Sequence, residues 1–281
     1  MISRRALLAG GAAFAVAPRL SAEPRRAPVV FVSHGAPLFL PGQAARRATL
    51  ANWGKSLAKP RAIVVMTPHF AARKLALGAT GPGFAWYDLP NGIKRLLPQD
   101  LEYSTPPSVE LASELEGILG ERVERASTRR GFDHTTWMPL KCLFPAADVP
   151  VLEVTYPYVP ESRAFAFGER LSALRDDGVL FLASGGLTHN LSLDLEAPVA
   201  SATREFDAWA AHCLETADTD ALIDFRKRAP APDFAHPDDG AHFRVLLVAL
   251  GLAHGKGGAV NTTFPVTGFE GPLSTRCVQF E

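Results

Sequence analysis

Eight histidines, at positions 34, 69, 134, 189, 212, 236, 242 and 254, are the side chains of this 281-residue chain best suited to chemistry. Imidazole has an ordinary pKa of about 6.5 and is the commonest metal-ligating side chain. His34, His69 and His189 each follow an apolar run of strand character by one to six residues. In an open α/β sheet, residues beyond the carboxyl ends of parallel strands converge in space although they lie far apart in the chain. These three can therefore share one site and hold a divalent ion with a coordination position left open. Tight-turn residues surround them: Gly35 and Pro37 follow His34, Pro68 precedes His69, and Gly185 and Gly186 precede His189. Such residues let backbone come close to a ligand.

His134 stands in Gly131-Phe-Asp-His134-Thr-Thr-Trp137, where Asp133 or Thr135 can cap a following helix. It reads as a pocket histidine able to exchange protons near neutral pH. His236 and His242 flank Pro237-Asp-Asp-Gly-Ala241 at the entry to the last long helix, and one of the two can complete a metal sphere. His212 and His254 read as structural or solvated. Phe70, Trp86, Tyr87 and Trp137 adjoin the histidine segments or the loop that follows, and can wall a flat ring by stacking.

Other chemistries are disfavoured by what the chain lacks. There is no G-x-S-x-G elbow, no phosphate-binding glycine loop and no H-E-x-x-H pair. Cys142, Cys213 and Cys277 are too few and too scattered for a disulfide scaffold or a thiolate metal site. Lys+Arg and Asp+Glu each total 29, so no basic excess exists to compensate a phosphate backbone, and nucleic acid is not an expected partner. At 47% hydrophobic and 21% charged the chain is a globular one with a sizeable core.

The elements that must position the histidines alternate. Residues 29–33 and 62–66 read as strands around a helix in 44–59, and residues 151–155 and 179–183 as strands around a helix in 161–175. Further helices are expected near 109–119, 135–143, 202–216, 220–228 and 242–252, with a closing strand near 276–280. This alternation predicts a single-domain α/β fold with a central, mainly parallel (mixed) sheet and helices on both faces.

Residues 1–22 precede that domain and read as an address. Ser3, Arg4 and Arg5 are followed by an uncharged run to Pro18 and by Leu20-Ser-Ala22, a signal-peptide layout with a twin-arginine pair. The run is shorter than the roughly 20 apolar residues a membrane-spanning helix needs. The expectation is a domain of residues 23–281, delivered by the export machinery to the periplasm without a stable membrane span.

Five segments, in order, resemble the class III extradiol ring-cleaving dioxygenases, specifically the 4,5-DOPA dioxygenase extradiol-like branch. They are Phe31-Val-Ser-His34-Gly-Ala-Pro37, Met66-Thr-Pro-His69-Phe70, Gly131-Phe-Asp-His134-Thr-Thr-Trp-Met-Pro139, Ser184-Gly-Gly-Leu-Thr-His189-Asn-Leu191, and Arg228-Ala-Pro230 with Ala235-His236-Pro237 and His242. The resemblance implies one divalent metal ion held by His34, His69, His189 and His242, with His236 the alternative to the last. Fe(II) is the favoured ion and Zn(II) the alternative. It also implies that His134 lies in the pocket as a substrate-binding or acid/base residue; of the aromatic residues beside the histidine segments, Phe70 and Trp137 are those expected against the substrate. The substrates implied are a catecholic aromatic and O2. A zinc-dependent hydrolase on the same scaffold, or a metal-binding protein without turnover, are the competing readings. Three departures from the usual pattern are present: Thr67-Pro68 before His69 with Phe70 after it, Thr135-Thr136 after His134, and one additional residue between His236 and His242.

Overall fold

The structure is a computed structural model that describes residues 26–281 apart from 73, 121–122, 127–129, 158, 196–197 and 256. The leader read in residues 1–22 lies outside the described residues. Eight strands form the main sheet: β1 (Val29–Ser33), β2 (Ala62–Ala72), β3 (Ala76–Leu77), β4 (Glu124–Arg125), β5 (Val151–Pro157), β6 (Val179–Gly185), β7 (Thr262–Val266) and β8 (Cys277–Phe280). Their order is β4-β3-β5-β2-β6-β1-β8-β7. The central four, β5-β2-β6-β1, run parallel, whereas β8 pairs antiparallel with both β1 and β7. Sequence alternation predicts the parallel centre. The antiparallel margin comes from a return of the chain after the last helix.

Six longer helices cover the sheet: α1 (Ala44–Ser56), α2 (Val109–Leu119), α3 (His134–Leu143), α4 (Glu161–Arg170), α5 (Ser201–Glu215) and α6 (Ala241–His254). Successive strand residues point to opposite faces, and the burial follows that period. Val30, Val32, Ile63, Val65, Leu180 and Leu182 pack with Leu50 and Trp53 of α1 and with Trp137 and Leu140 of α3. Val29, Phe31, Val64, Met66, Phe181 and Ala183 pack with Leu111 of α2, Ala164 of α4, Phe206 of α5 and Phe243 and Leu247 of α6. With both faces covered, β1 and β6 are buried throughout, which is why they read as unbroken apolar runs. No helix among the described residues is long and apolar enough to cross a membrane.

Some boundaries differ from the sequence reading. The helix expected in 161–175 ends at Arg170 and gives way to a 3-10 turn, Ser172–Arg175. The helix expected in 220–228 divides into Thr219–Ile223 and Phe225–Arg228. β2 extends past residue 66 to Ala72, so His69 lies within the strand rather than after it. Pro68 has no N–H to donate to the ladder, and the β2–β5 register accordingly shifts between Thr67 and Ala71.

Among the described residues, one buried strand residue carries a carboxyl group. Glu153 on β5 is buried, accepts a hydrogen bond from the Thr136 hydroxyl at 2.8 Å, and lies 3.8 Å from the Arg130 guanidinium. Burial, with the Asp133 charge nearby, pushes its carboxyl up to about 8 from an ordinary value of 4.5. Between those two values the unfolded chain releases the proton while the native protein keeps it, so folding stability falls as pH rises through that window. Glu153→Gln retains the acceptor for Thr136 and has no proton to lose. We predict that thermal melts of this variant show a flatter decline from about pH 5 to pH 8 than the parent, with a higher melting temperature at the alkaline end.

Candidate metal centre

Five of the eight histidines meet at the carboxyl rim of the parallel sheet. His34 leaves the end of β1, with its backbone N–H donating to the Gly185 carbonyl of β6 at 2.9 Å. Its ring lies 5.4 Å from that of His69 and 5.2 Å from that of His242, centroid to centroid. His69 in turn lies 5.5 Å from His242 and 5.0 Å from His134. His34, His69 and His242 each offer a ring nitrogen within 4.8 Å of the others. His189 joins through His242, on which its ring stacks at 3.3 Å.

The first turn of α6 delivers His242 to this place. A Cβ on Gly185 would lie 2.3 Å from the His242 carbonyl oxygen, so only glycine lets the helix start press onto the end of β6. The contact is closed by the Gly186 N–H, which donates to the His242 carbonyl at 3.1 Å.

Hydrogen bonding assigns the protons. The Ser184 hydroxyl donates to the Thr135 carbonyl at 2.6 Å, so toward His34 Nδ1, 3.1 Å away, it can only accept. His34 therefore carries its proton on Nδ1 and leaves the Nε2 lone pair free. The Asp88 carboxylate accepts from His134 Nδ1 at 2.9 Å and from the His134 backbone N–H at 2.9 Å, which orders the same tautomer there. Asp238 accepts from His189 Nδ1 at 3.0 Å. Three imidazoles are thus held by the Nδ1 edge with Nε2 available.

His242 differs from these. Both of its ring nitrogens are buried and neither has a hydrogen-bond partner among the described residues. Buried polar atoms are normally satisfied, so an orphaned imidazole beside two others fits a bound cation. Burial pushes its pKa down to about 4, and burial together with the His242 ring holds His34 well below its ordinary range. Both are neutral at pH 7 and have lone pairs to give. Burial raises the pKa of Asp238, but the facing imidazoles of His189, His242 and His236 and the Gly240 amide together outweigh that and hold the carboxyl below its ordinary range.

His236 has a different task. It is wholly buried against the rings of Phe206, Phe225 and Phe243, and its Nε2 donates to the Leu187 carbonyl at 2.9 Å. His212 is exposed on α5, and His254 sits 3.2 Å from Glu169 at the far end of α6. Asp133 is the cap of α3, its side chain accepting from the Thr135 N–H at 3.0 Å. Behind His69 a hydroxyl relay holds the bulge: its N–H donates to Thr67 Oγ1, Thr67 meets the Thr135 hydroxyl at 2.7 Å, and Thr135 donates to Asp133.

Aromatic residues flank the pair His69 and His134. Phe70 and Trp86 sandwich the Arg130 guanidinium, at 4.3 and 5.3 Å from the ring centroids, and Arg130 pairs with Asp133 at 2.8 Å. Trp137 has no exposed surface; it stacks on Phe39 and its indole N–H donates to the Trp86 carbonyl at 3.2 Å, bracing that wall from behind.

Asp88 and Asp238 are the functional residues that sequence reading did not single out. Asp88 lies 46 positions before His134 with no motif linking them. Asp238 had a weak signal, an acidic residue inside the histidine-flanked loop.

A cluster of neutral imidazoles at the ligand-binding rim of a parallel α/β sheet defines a metal-site α/β protein. Residues 29–271 match the family described as the catalytic LigB subunit of aromatic ring-opening dioxygenase, and the chain belongs to that family. It is 30% identical over 234 residues to 4,5-DOPA dioxygenase extradiol of Portulaca grandiflora, covering 79% of this chain and 84% of the relative. The Beta vulgaris protein of the same name is 29% identical over 232 residues, covering 79% and 85%. Among solved structures, an uncharacterized protein from Escherichia coli K12 superposes with a TM-score of 0.76 at 26% identity, over 91% of this chain and 100% of that one. Dioxygenases of this family use a divalent metal, and the histidine and aspartate groups at the rim are of the kind that bind one.

The two histidines that flank the acidic loop should separate cleanly. We predict that His242→Ala abolishes tight zinc uptake, read by elemental analysis after dialysis. His236→Phe should keep its metal and lose about 1–3 kcal/mol of stability, because the buried Leu187 carbonyl is left without its donor.

Proposed function

We propose that this protein is an extradiol dioxygenase that opens a catecholic ring beside its two hydroxyls, using O2 and one divalent ion, with Fe(II) preferred. The observation that carries the reading is the buried His242 ring, without a hydrogen bond among the described residues, facing His34 and His69, with the Asp88-held His134 adjoining them. His34, His69 and His242 would hold the ion, and His189, stacked on His242, would be its fourth ligand. Fe(II) held by these residues would supply the redox centre at which O2 is activated.

The chain's own residues handle the protons and the fit of the ring. The histidine set brings no negative charge, so a catechol entering as its anion provides the compensating charge, which favours ionisation of its hydroxyl. His134 accepts that proton at Nε2, since Nδ1–H is committed to Asp88. The Asp88 carboxylate then lies against the imidazolium and stabilises it, and His134 returns the proton as the ring opens. Hydrogen bonds from His134 outweigh the effect of partial burial and hold the Asp88 carboxyl below its ordinary range, so it stays ionised for this role. Phe70 and Trp86 offer aromatic surface beside Arg130 for a ring, and Trp137 braces Trp86 from behind.

Delivery to the periplasm by the twin-arginine route is part of the same proposal. It is supported by the paired Arg4 and Arg5 ahead of the apolar run and by Leu20-Ser-Ala22. That route carries folded, cofactor-loaded proteins, which suits a chain whose metal must be inserted before export.

Loading the chain with Fe(II) without air, then adding a catechol panel and O2, should give oxygen uptake with a yellow ring-opened product. Zinc-loaded protein should take up none; ester cleavage by that form would instead favour a hydrolase. His134→Gln should retain its metal and lower kcat by about 10²- to 10⁴-fold. Mass spectrometry of protein exported from a bacterial host should find a mature chain that starts just after Ala22, and replacing Arg4 and Arg5 with Lys should leave the precursor inside the cell.

A further inference from the structure

The loop between His236 and His242 carries a carboxylate whose surroundings single it out. Asp238 Oδ2 lies 3.0 Å from His189 Nδ1 and 3.6 Å from His242 Nδ1, and Oδ1 lies 3.9 Å from His236 Nδ1. One side chain thus faces three imidazoles. Its neighbour Asp239 turns the other way, accepting from the Ala241 N–H at the start of α6 and pairing with Arg244 at 3.0 Å.

The chain around Asp238 is fixed from several sides. Oδ1 accepts from the Gly240 N–H at 2.9 Å, and Gly240 takes a φ of +78° that lets the helix begin at once. Arg226 donates to the carbonyls of both Asp238, at 2.8 Å, and His236, at 2.9 Å. Just ahead of the loop, Ala235 holds the His189 backbone, whose N–H donates to the Ala235 carbonyl at 2.8 Å. His189 is therefore set by its main chain and by its ring from one short segment, the segment that carries the additional residue.

We infer that Asp238 is the positioning residue of the metal centre: it locks His189 as the Nδ1–H tautomer against His242, and so sets how tightly the cluster binds a divalent cation, without itself being a ligand. Both of its oxygens already have partners, Oδ2 the His189 ring and Oδ1 the Gly240 amide. A carboxylate on the outer N–H of a ligating imidazole fixes its orientation and makes it a better donor, and the loss of such partners weakens metal affinity by about 10- to 100-fold. The inference rests on the histidine cluster being a metal site and is independent of the reaction performed there.

The test is competition between a chromophoric chelator and the full chain, stripped of metal beforehand, for Zn(II) and Co(II). Asp238→Ser keeps an oxygen for the Gly240 turn but is too short to reach His189, whereas Asp238→Asn keeps an acceptor for His189 and loses only the charge. Asp238→Ser should bind both ions about 10- to 100-fold more weakly at an unchanged metal-free melting temperature, with an altered Co(II) visible spectrum, and Asp238→Asn should lose less. Affinity of Asp238→Ser within about twofold of the parent would overturn the inference while the metal site stands. Complete loss of binding in Asp238→Asn would overturn it by making Asp238 a ligand. A parent chain that binds neither ion would remove the metal-centre reading itself, and this inference with it.

Discussion

The contact between the start of α6 and the end of β6 is the constraint on which the site depends. The His242 carbonyl rests against Gly185 and accepts from Gly186, so the helix begins at the rim of the sheet and not above it. From there His242 reaches the ring of His34, which comes from the adjacent strand β1. A helix buried along almost its whole length holds this arrangement: every α6 residue from Ala241 to Ala253 is buried, so the first turn cannot lift without opening the core.

A group of five imidazoles so close together would be costly if several were charged. The fold answers by burial and by two carboxylates. Burial keeps His34 and His242 neutral, while Asp88 and Asp238 hold the more accessible His134 and His189 by their Nδ1 edges. Three neutral donors and a separate proton-exchanging dyad thus coexist within one small region. The division of labour is electrostatic: the buried, neutral rings are suited to a cation, and the ring backed by Asp88 is suited to a proton.

Much of the architecture was legible because hydrophobic periodicity and the strand-end rule are local and topological statements. Unbroken apolar runs at 29–33 and 179–183 indicated a sheet buried on both faces, and parallel pairing then required their following residues to gather at one rim. His34 and His189 could be placed in one neighbourhood on that basis. His69 arrived there by a different path, since Pro68 distorts β2 without ending it. The short strands β3 and β4 carried no comparable signal, because two-residue pairings depend on neighbours rather than on their own pattern.

The amino-acid sequence by itself determined the fold class, the parallel centre of the sheet, the cap of α3 by an acidic or hydroxyl residue, and the set of histidines from which a site could be built. Residue type and spacing suffice for these, since periodicity and capping act within a few residues. Tertiary structure alone decided between His236 and His242 as the ring that meets His34 and His69. It enclosed His236 among phenylalanines and gave its Nε2 to the Leu187 carbonyl, while leaving the His242 nitrogens without a hydrogen bond among the described residues. It also brought Asp88 to His134 across 46 positions of chain, a pairing that depends on how loops close over the sheet and that no local pattern encodes.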